Sequence, residues 1–135
     1  MRAMGRRDFL KLTGAAAMLG LLPAAARAQS RIVPGDGDVL IVVDVQRDFC
    51  PGGSLAVPDG DQVVPVVNRL APRFRTVVTT HDSHPPDHSS FVEQGGPWPP
   101  HCVEGTPGWE PHPDLRVKPD YQVFKGRDRE LDGYT

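Results

Sequence analysis

Apolar positions along the chain fall into three short β-branched runs and one helical stripe. Val39-Leu40-Ile41-Val42-Val43 is continuous, the pattern of a strand buried on both faces in a parallel sheet. It ends at Asp44. Val63, Val64, Val66, Val67 and Leu70 form the stripe. Pro65 fits only the first turn, so the helix starts near Gln62 and ends before Pro72. Thr76-Val77-Val78-Thr79-Thr80 reads as a second strand running into His81-Asp82. Tyr121-Gln122-Val123-Phe124 reads as a short third strand before Lys125-Gly126. Strand, helix, strand at this spacing is a βαβ unit with a right-handed crossover. Residues 50–60 carry Pro51, Gly52, Gly53, Pro58 and Gly60 and form a loop. The proline-rich stretch 83–119 predicts a long excursion with little regular structure, a kind of loop that is usually functional. Residues 127–135 are polar and predict loop.

The first 28 residues read as a leader and not as part of the fold. Arg2, Arg6 and Arg7 make a basic start, Leu10 to Ala26 is apolar but rich in Gly and Ala, and Ala26-Arg27-Ala28 is an A-x-A cleavage pattern. The twin arginines in Gly5-Arg6-Arg7-Asp8-Phe9-Leu10-Lys11 point to a Tat-type signal peptide and a periplasmic destination. The alternative is an uncleaved anchor helix, although the apolar stretch is short for a bilayer. Residues 29–37 then form a linker. Subtracting the leader's five basic and one acidic residues from totals of 15 and 17 leaves 10 and 16, a formal charge of −6. That argues against a nucleic-acid partner, which needs a basic patch. Membrane contact is expected only through the signal peptide and its export machinery. Cys50 and Cys102 are the two cysteines. They could pair in an oxidising compartment, but spacing alone does not test the geometry.

Asp44, Asp82 and Lys125 all fall at C-terminal ends of predicted strands, the edge where open α/β sheets build their sites. Asp82, His84 and His88 follow closely on one another, and His101 lies further along the same loop. One carboxylate and three imidazoles suit a divalent ion such as Zn²⁺, Fe²⁺ or Mn²⁺. The absence of thiolates in the set favours an open site over a closed structural one. Taken alone, Asp44 is either a base or a structural partner. Lys125 alone would be a solvated lysine, and its place at a strand end raises its interest. Phe49 and Trp98 could sandwich a flat ring or could be ordinary packing. His81 and His112 read as structural or solvated.

The run Ile41-Val42-Val43-Asp44-Val45-Gln46-Arg47-Asp48-Phe49-Cys50-Pro51-Gly52-Gly53-Ser54-Leu55-Ala56-Val57 resembles the opening of nicotinamidases (pyrazinamidases), members of the isochorismatase-like cysteine hydrolases. The Asp-x-His-x3-His run, Trp98-Pro99-Pro100-His101-Cys102-Val103, Gly105-Thr106 and Phe124-Lys125-Gly126 follow in the same order, so the resemblance spans about residues 38–135. It implies part of a doubly wound, Rossmann-like parallel α/β sheet with its C-terminal half missing. It implies Asp44 as general base and Lys125 as the lysine of an Asp-Lys-Cys triad. It implies Asp82, His84, His88 and His101 as metal ligands, Zn²⁺ first among the ions, and Phe49 and Trp98 as walls around a pyridine ring. The small-molecule substrate would be nicotinamide, hydrolysed to nicotinate and ammonia through a cysteine thioester, a step of NAD salvage. The family's nucleophilic cysteine lies well after the lysine, and neither Cys50 nor Cys102 matches it. The chain itself is therefore expected to be inactive. The rivals are another cysteine hydrolase of small amides, an exported metal-binding module without catalysis, and a degenerate product.

Overall fold

The computed structural model describes residues 33–132. The signal peptide expected over 1–28 and the first part of the linker lie outside the described residues. Three strands form a parallel sheet in the order β1-β2-β3: β1 (Val39–Val43), β2 (Thr76–Asp82) and β3 (Tyr121–Lys125). One α-helix, α1 (Val63–Leu70), links β1 to β2. Pro65 occupies its third position, in the first turn, where no intrahelical N–H partner is needed. Ala71–Arg73 continues as a 3₁₀ turn around Pro72. These elements coincide with the three runs and the stripe read from the sequence. β2 and β3 extend further than expected, to Asp82 and Lys125, because those two residues pair with each other across the sheet.

One sheet face is covered. Val42 and Val77 from the strands meet Val64 and Val67 from α1, with Val45 beside them and Leu40, Phe74, Leu115 and Val117 at the margin. Each buried valine contributes roughly 1.5–3 kcal/mol relative to exposure, so this is a small core. The opposite face differs from the sequence expectation that β1 is buried on both sides. Ile41 is 58 % and Val43 is 62 % exposed, and Tyr121 and Val123 of β3 are exposed too. The register puts Ile41, Val78 and Tyr121 in one row, and Val43, Thr80 and Val123 in the next. Alternation along a strand reports which residues share a face, but burial needs a second layer. Among the described residues none covers this face, and β1 is an edge strand.

The proline-rich excursion holds little regular structure beyond a 3₁₀ turn at Val92–Gln94. It is nevertheless pinned. Isolated bridges join His84 to Val103, Phe91 to Trp98, and Gln46 to Pro111. Phe91 is fully buried at its centre. The polar last segment, which the sequence predicts as loop, has no helix or strand through Asp132.

A long apolar face beside an open edge favours self-association. The metal-free chain is expected to melt without a sharp transition and to bind the dye ANS, and Ile41→Lys should reduce both dye binding and concentration-dependent light scattering. A sharp cooperative melt with no dye binding would show that this face is covered in solution.

Candidate active site

Because the strands run parallel and in register, their C-terminal ends lie side by side. Asp44 directly follows β1, Asp82 ends β2, and Lys125 ends β3 opposite Asp82. Asp44 adopts a left-handed backbone conformation, with φ of 49°, which costs a non-glycine residue about 1–3 kcal/mol. It still closes the ladder, since its N–H donates to the Thr80 carbonyl at 3.1 Å. The chain then turns away from the sheet with the Asp44 carboxylate held at its edge.

The ammonium of Lys125 lies between two carboxylates. It pairs with Asp44 Oδ2 at 2.8 Å and donates to Asp82 Oδ1. Asp44 Oδ1 accepts from the Thr80 hydroxyl at 2.7 Å. Burial works to raise the Asp82 carboxyl, but His84 and Lys125 beside it outweigh this and hold the group below its ordinary range. Burial likewise works to lower Lys125, yet its bonds to Asp44 and Asp82 push it above the usual lysine value. At neutral pH Asp82 and Lys125 are therefore charged.

Ligand atoms of Asp82, His84 and His101 all lie within 4.8 Å of one another. The two imidazoles are set in the same way. His84 Nδ1 bonds the Gly126 carbonyl at 2.9 Å, and His101 Nδ1 bonds the Pro99 carbonyl at 2.8 Å. A carbonyl only accepts, so each Nδ1 carries a proton, and Nε2 is the nitrogen left to bind a metal once it is unprotonated. That is how metal-ligating histidines are oriented. His84 Nε2 stands 3.8 Å from Asp82 Oδ2. Burial lowers the His101 pKa, which keeps that ring neutral. One carboxylate oxygen and two imidazole lone pairs fit an open divalent site.

His88, expected as a fourth ligand, is not brought into this group. Its ring packs 4.3 Å from that of His84 and is fully buried. Both nitrogens are engaged elsewhere. Nε2 meets the Leu131 carbonyl at 3.0 Å, and Nδ1 meets the Ser90 hydroxyl at 2.7 Å. The first bond fixes the proton on Nε2, and the second takes up the lone pair on Nδ1. Nothing remains to offer a metal.

A cavity of about 630 Å³ opens beside this cluster. Phe49 and Trp98 line it with Asp44, Asp82, His84, His101 and Lys125. The Phe49 ring lies 5.7 Å from that of His101. Cys50 also reaches the cavity, but burial and Asp61 push its thiol up. Cys102 is fully buried, and burial with Asp82 and Asp48 pushes its thiol up strongly. Both are free, so they do not pair, and neither has the depressed pKa of an activated nucleophile. His81, buried and lowered by that burial, bonds Thr79 and stacks on Phe124, which makes it structural.

Residues 38–129 match the Isochorismatase domain. The chain belongs to the isochorismatase family. It is 41 % identical over 123 residues to a nicotinamidase of Acinetobacter baylyi, covering 78 % of this chain and 57 % of that one. It is similar to a crystal structure of a pyrazinamidase of Pyrococcus horikoshii in complex with zinc, at 46 % identity and a TM-score of 0.66 over 71 % of this chain and 55 % of that one. It is also similar to PnC1 from L. infantum in complex with nicotinate, at 42 % identity and a TM-score of 0.71, over 74 % and 52 %. The chain thus spans about half the length of the curated isochorismatase-family relatives it matches.

Three residues that hold this cluster together carry no role in the sequence reading. Gly126 accepts from His84 through its carbonyl and has φ of 72°, and a Cβ there would strike the His84 ring. Thr80 anchors Asp44. Gln46 bonds both backbone groups of Asp82. The signal for Gly126 was its position immediately after a strand-end lysine.

His101→Ala is expected to weaken zinc binding by more than the roughly 10–100-fold typical of losing a residue that supports a ligand. His88→Ala should weaken it by no more than that amount, while making the metal-free chain more susceptible to proteolysis. Chelator-competition titrations of the two variants check this, and an equal loss in both would place His88 among the ligands. Protons compete with metal for the imidazoles, so retention should persist at neutral pH and fail as pH drops below the ordinary histidine range. Zinc content after dialysis across that range reads the effect.

Proposed function

We propose that this chain supplies the base-bearing and metal-binding half of an amidase that hydrolyses nicotinamide to nicotinate and ammonia. The observation that carries the reading is Lys125, which joins Asp44 to Asp82 and so couples a base to a metal-donor set at the mouth of one aromatic-walled cavity. Its relatives are named nicotinamidases, and similar structures hold zinc or nicotinate. Phe49 and Trp98 would flank the flat pyridine ring. A divalent ion, zinc first, held by Asp82, His84 and His101 would supply a Lewis-acid point for a ring heteroatom. Asp44, with Oδ1 held by Thr80 and Oδ2 by Lys125, takes the proton of the attacking thiol and returns it to the departing ammonia. Lys125 stays paired with Asp82 throughout and faces the Asp44 carboxylate before the first transfer and after the second. The thiol belongs to a cysteine outside the two in this chain, since Cys50 and Cys102 are buried and pushed up. It attacks the amide carbon, ammonia leaves, and water releases nicotinate from the thioester.

We further read residues 1–28 as a Tat-type leader that delivers the protein to the periplasm, supported by Arg6-Arg7 and Ala26-Arg27-Ala28. A Tat route suits an enzyme that folds around its metal before export. Cell fractionation is expected to place the mature protein in the periplasm, and its confinement to the cytosol would overturn the export reading.

Fusing the chain to the part of the Acinetobacter baylyi nicotinamidase that it does not cover should restore ammonia release from nicotinamide. Asp44→Asn in that fusion should lower kcat by roughly 10²–10⁴-fold. A folded, zinc-loaded fusion that hydrolyses aliphatic amides but not nicotinamide would mean a different amide substrate. One that hydrolyses neither would remove the amidase reading.

A further inference from the structure

After β1 the chain leaves the sheet at Asp44. The parallel register pairs Val43 with Thr80, so a straight strand would have placed residue 45 beside Asp82. The Gln46 side chain stands there instead. Its Oε1 accepts from the Asp82 N–H at 2.8 Å, and its Nε2 donates to the Asp82 carbonyl at 2.8 Å. The second proton of Nε2 goes to the Trp109 carbonyl, also at 2.8 Å. The amide thus replaces one peptide unit of the strand that turned away, and the residue is completely buried. Two positions later Asp48, almost as buried, reaches the other side of the donor set. Its Oδ2 accepts from the N–H of Cys102 at 2.7 Å, in the peptide that joins His101 to Cys102. Its Oδ1 accepts from Ser54 N–H at 3.1 Å. Cys102 needs such an anchor, because its φ of 45° is left-handed. Gly108 packs against the Asp48 carboxylate so closely that a Cβ would collide with it.

We infer that the Gln46–Asp48 turn is the positioning element of the metal centre, with Gln46 setting Asp82 and Asp48 setting His101. This rests on the metal reading above. The two ligands come from a strand end and from the far part of a long loop, and one turn holds the backbone of both. Neither Gln46 nor Asp48 is a ligand. They act by fixing the distance between ligands, and so they bear on metal affinity.

The test measures zinc affinity of the full chain by competition with a chromophoric chelator, and the visible absorption of the Co²⁺ form. Gln46→Leu and Asp48→Asn are compared with a matched control, Asn68→Leu. Asn68 also bridges backbone in two directions, donating to Asp114 O and accepting from Arg116 N–H at 2.8 Å each, away from the site. The two site variants should raise the zinc Kd by roughly 10–100-fold and shift the Co²⁺ bands. The control should make the metal-free chain more susceptible to proteolysis yet change Kd by no more than about twofold. If the site variants change Kd no more than the control does, the positioning role is overturned. If the unsubstituted chain binds no zinc, the metal reading itself fails and the inference falls with it. Should Gln46→Leu not fold, Asp48→Asn, which removes no volume, decides the matter alone.

Discussion

Two carboxylates at the ends of adjacent strands would repel each other, and everything at this edge depends on the ammonium that lies between them. Asp44 and Asp82 are brought close by the pairing of β1 with β2, which the buried valines enforce. Lys125 arrives because β3 pairs in register with β2 up to its last residue. A slip of one residue would send Lys125 to the opposite face and leave like charges facing each other across a partly dry cavity, where the repulsion is worth several times its value in water. The hydrophobic register and the electrostatics of the site are therefore one constraint. The lysine also links two chemical tasks. It pairs with Asp44, which the proposed mechanism uses as proton acceptor, and shares Asp82 with the imidazoles of His84 and His101.

The long loop is held to this edge by polar contacts more than by apolar packing. Its return is fixed where His84 and Val103 bridge, where Asp48 takes the N–H of Cys102, and where the Gly126 carbonyl fixes the His84 ring. Buried hydrogen bonds of this kind contribute modestly when made and cost more when one partner is lost. A loop anchored this way has few alternative arrangements, and prolines reduce those of the unfolded chain as well. The donor atoms of Asp82, His84 and His101 are held together by these backbone contacts.

The elements and the strand-end residues were legible because they rest on local rules. β-branched runs made strands, Pro65 set the helix start, and Asp44, Asp82 and Lys125 stood where the apolar runs stopped. The role of His88 was not legible. Its spacing from His84 is as suitable for a ligand as that of many true pairs, and what removes it from the set is Leu131, more than forty residues away in sequence. Gln46 was hidden for a similar reason. A glutamine after a strand looks like a solvated residue until the left-handed turn at Asp44 leaves a gap in the ladder that only its amide fills. The exposed face of β1 was misjudged because alternation and β-branching report a strand's capacity to be buried, while its actual burial depends on what packs against it.

That exposed face ties stability to the site. The core consists of five buried valines and a margin of partly buried neighbours, which is little to set against the conformational entropy of about a hundred residues. Asp44 in a left-handed conformation and three charged groups at one edge add cost. Any ion that binds Asp82, His84 and His101 only in the native arrangement returns free energy to the fold, about 2.7 kcal/mol at a hundredfold excess over its Kd. In a domain this small that is a large share of the net stability. A second α/β layer on Ile41, Val43 and Val123 would act through the same linkage, since those residues share β1 and β3 with Asp44 and Lys125. Cover on one face and metal at one edge thus favour the same state, and each raises the apparent affinity of the other.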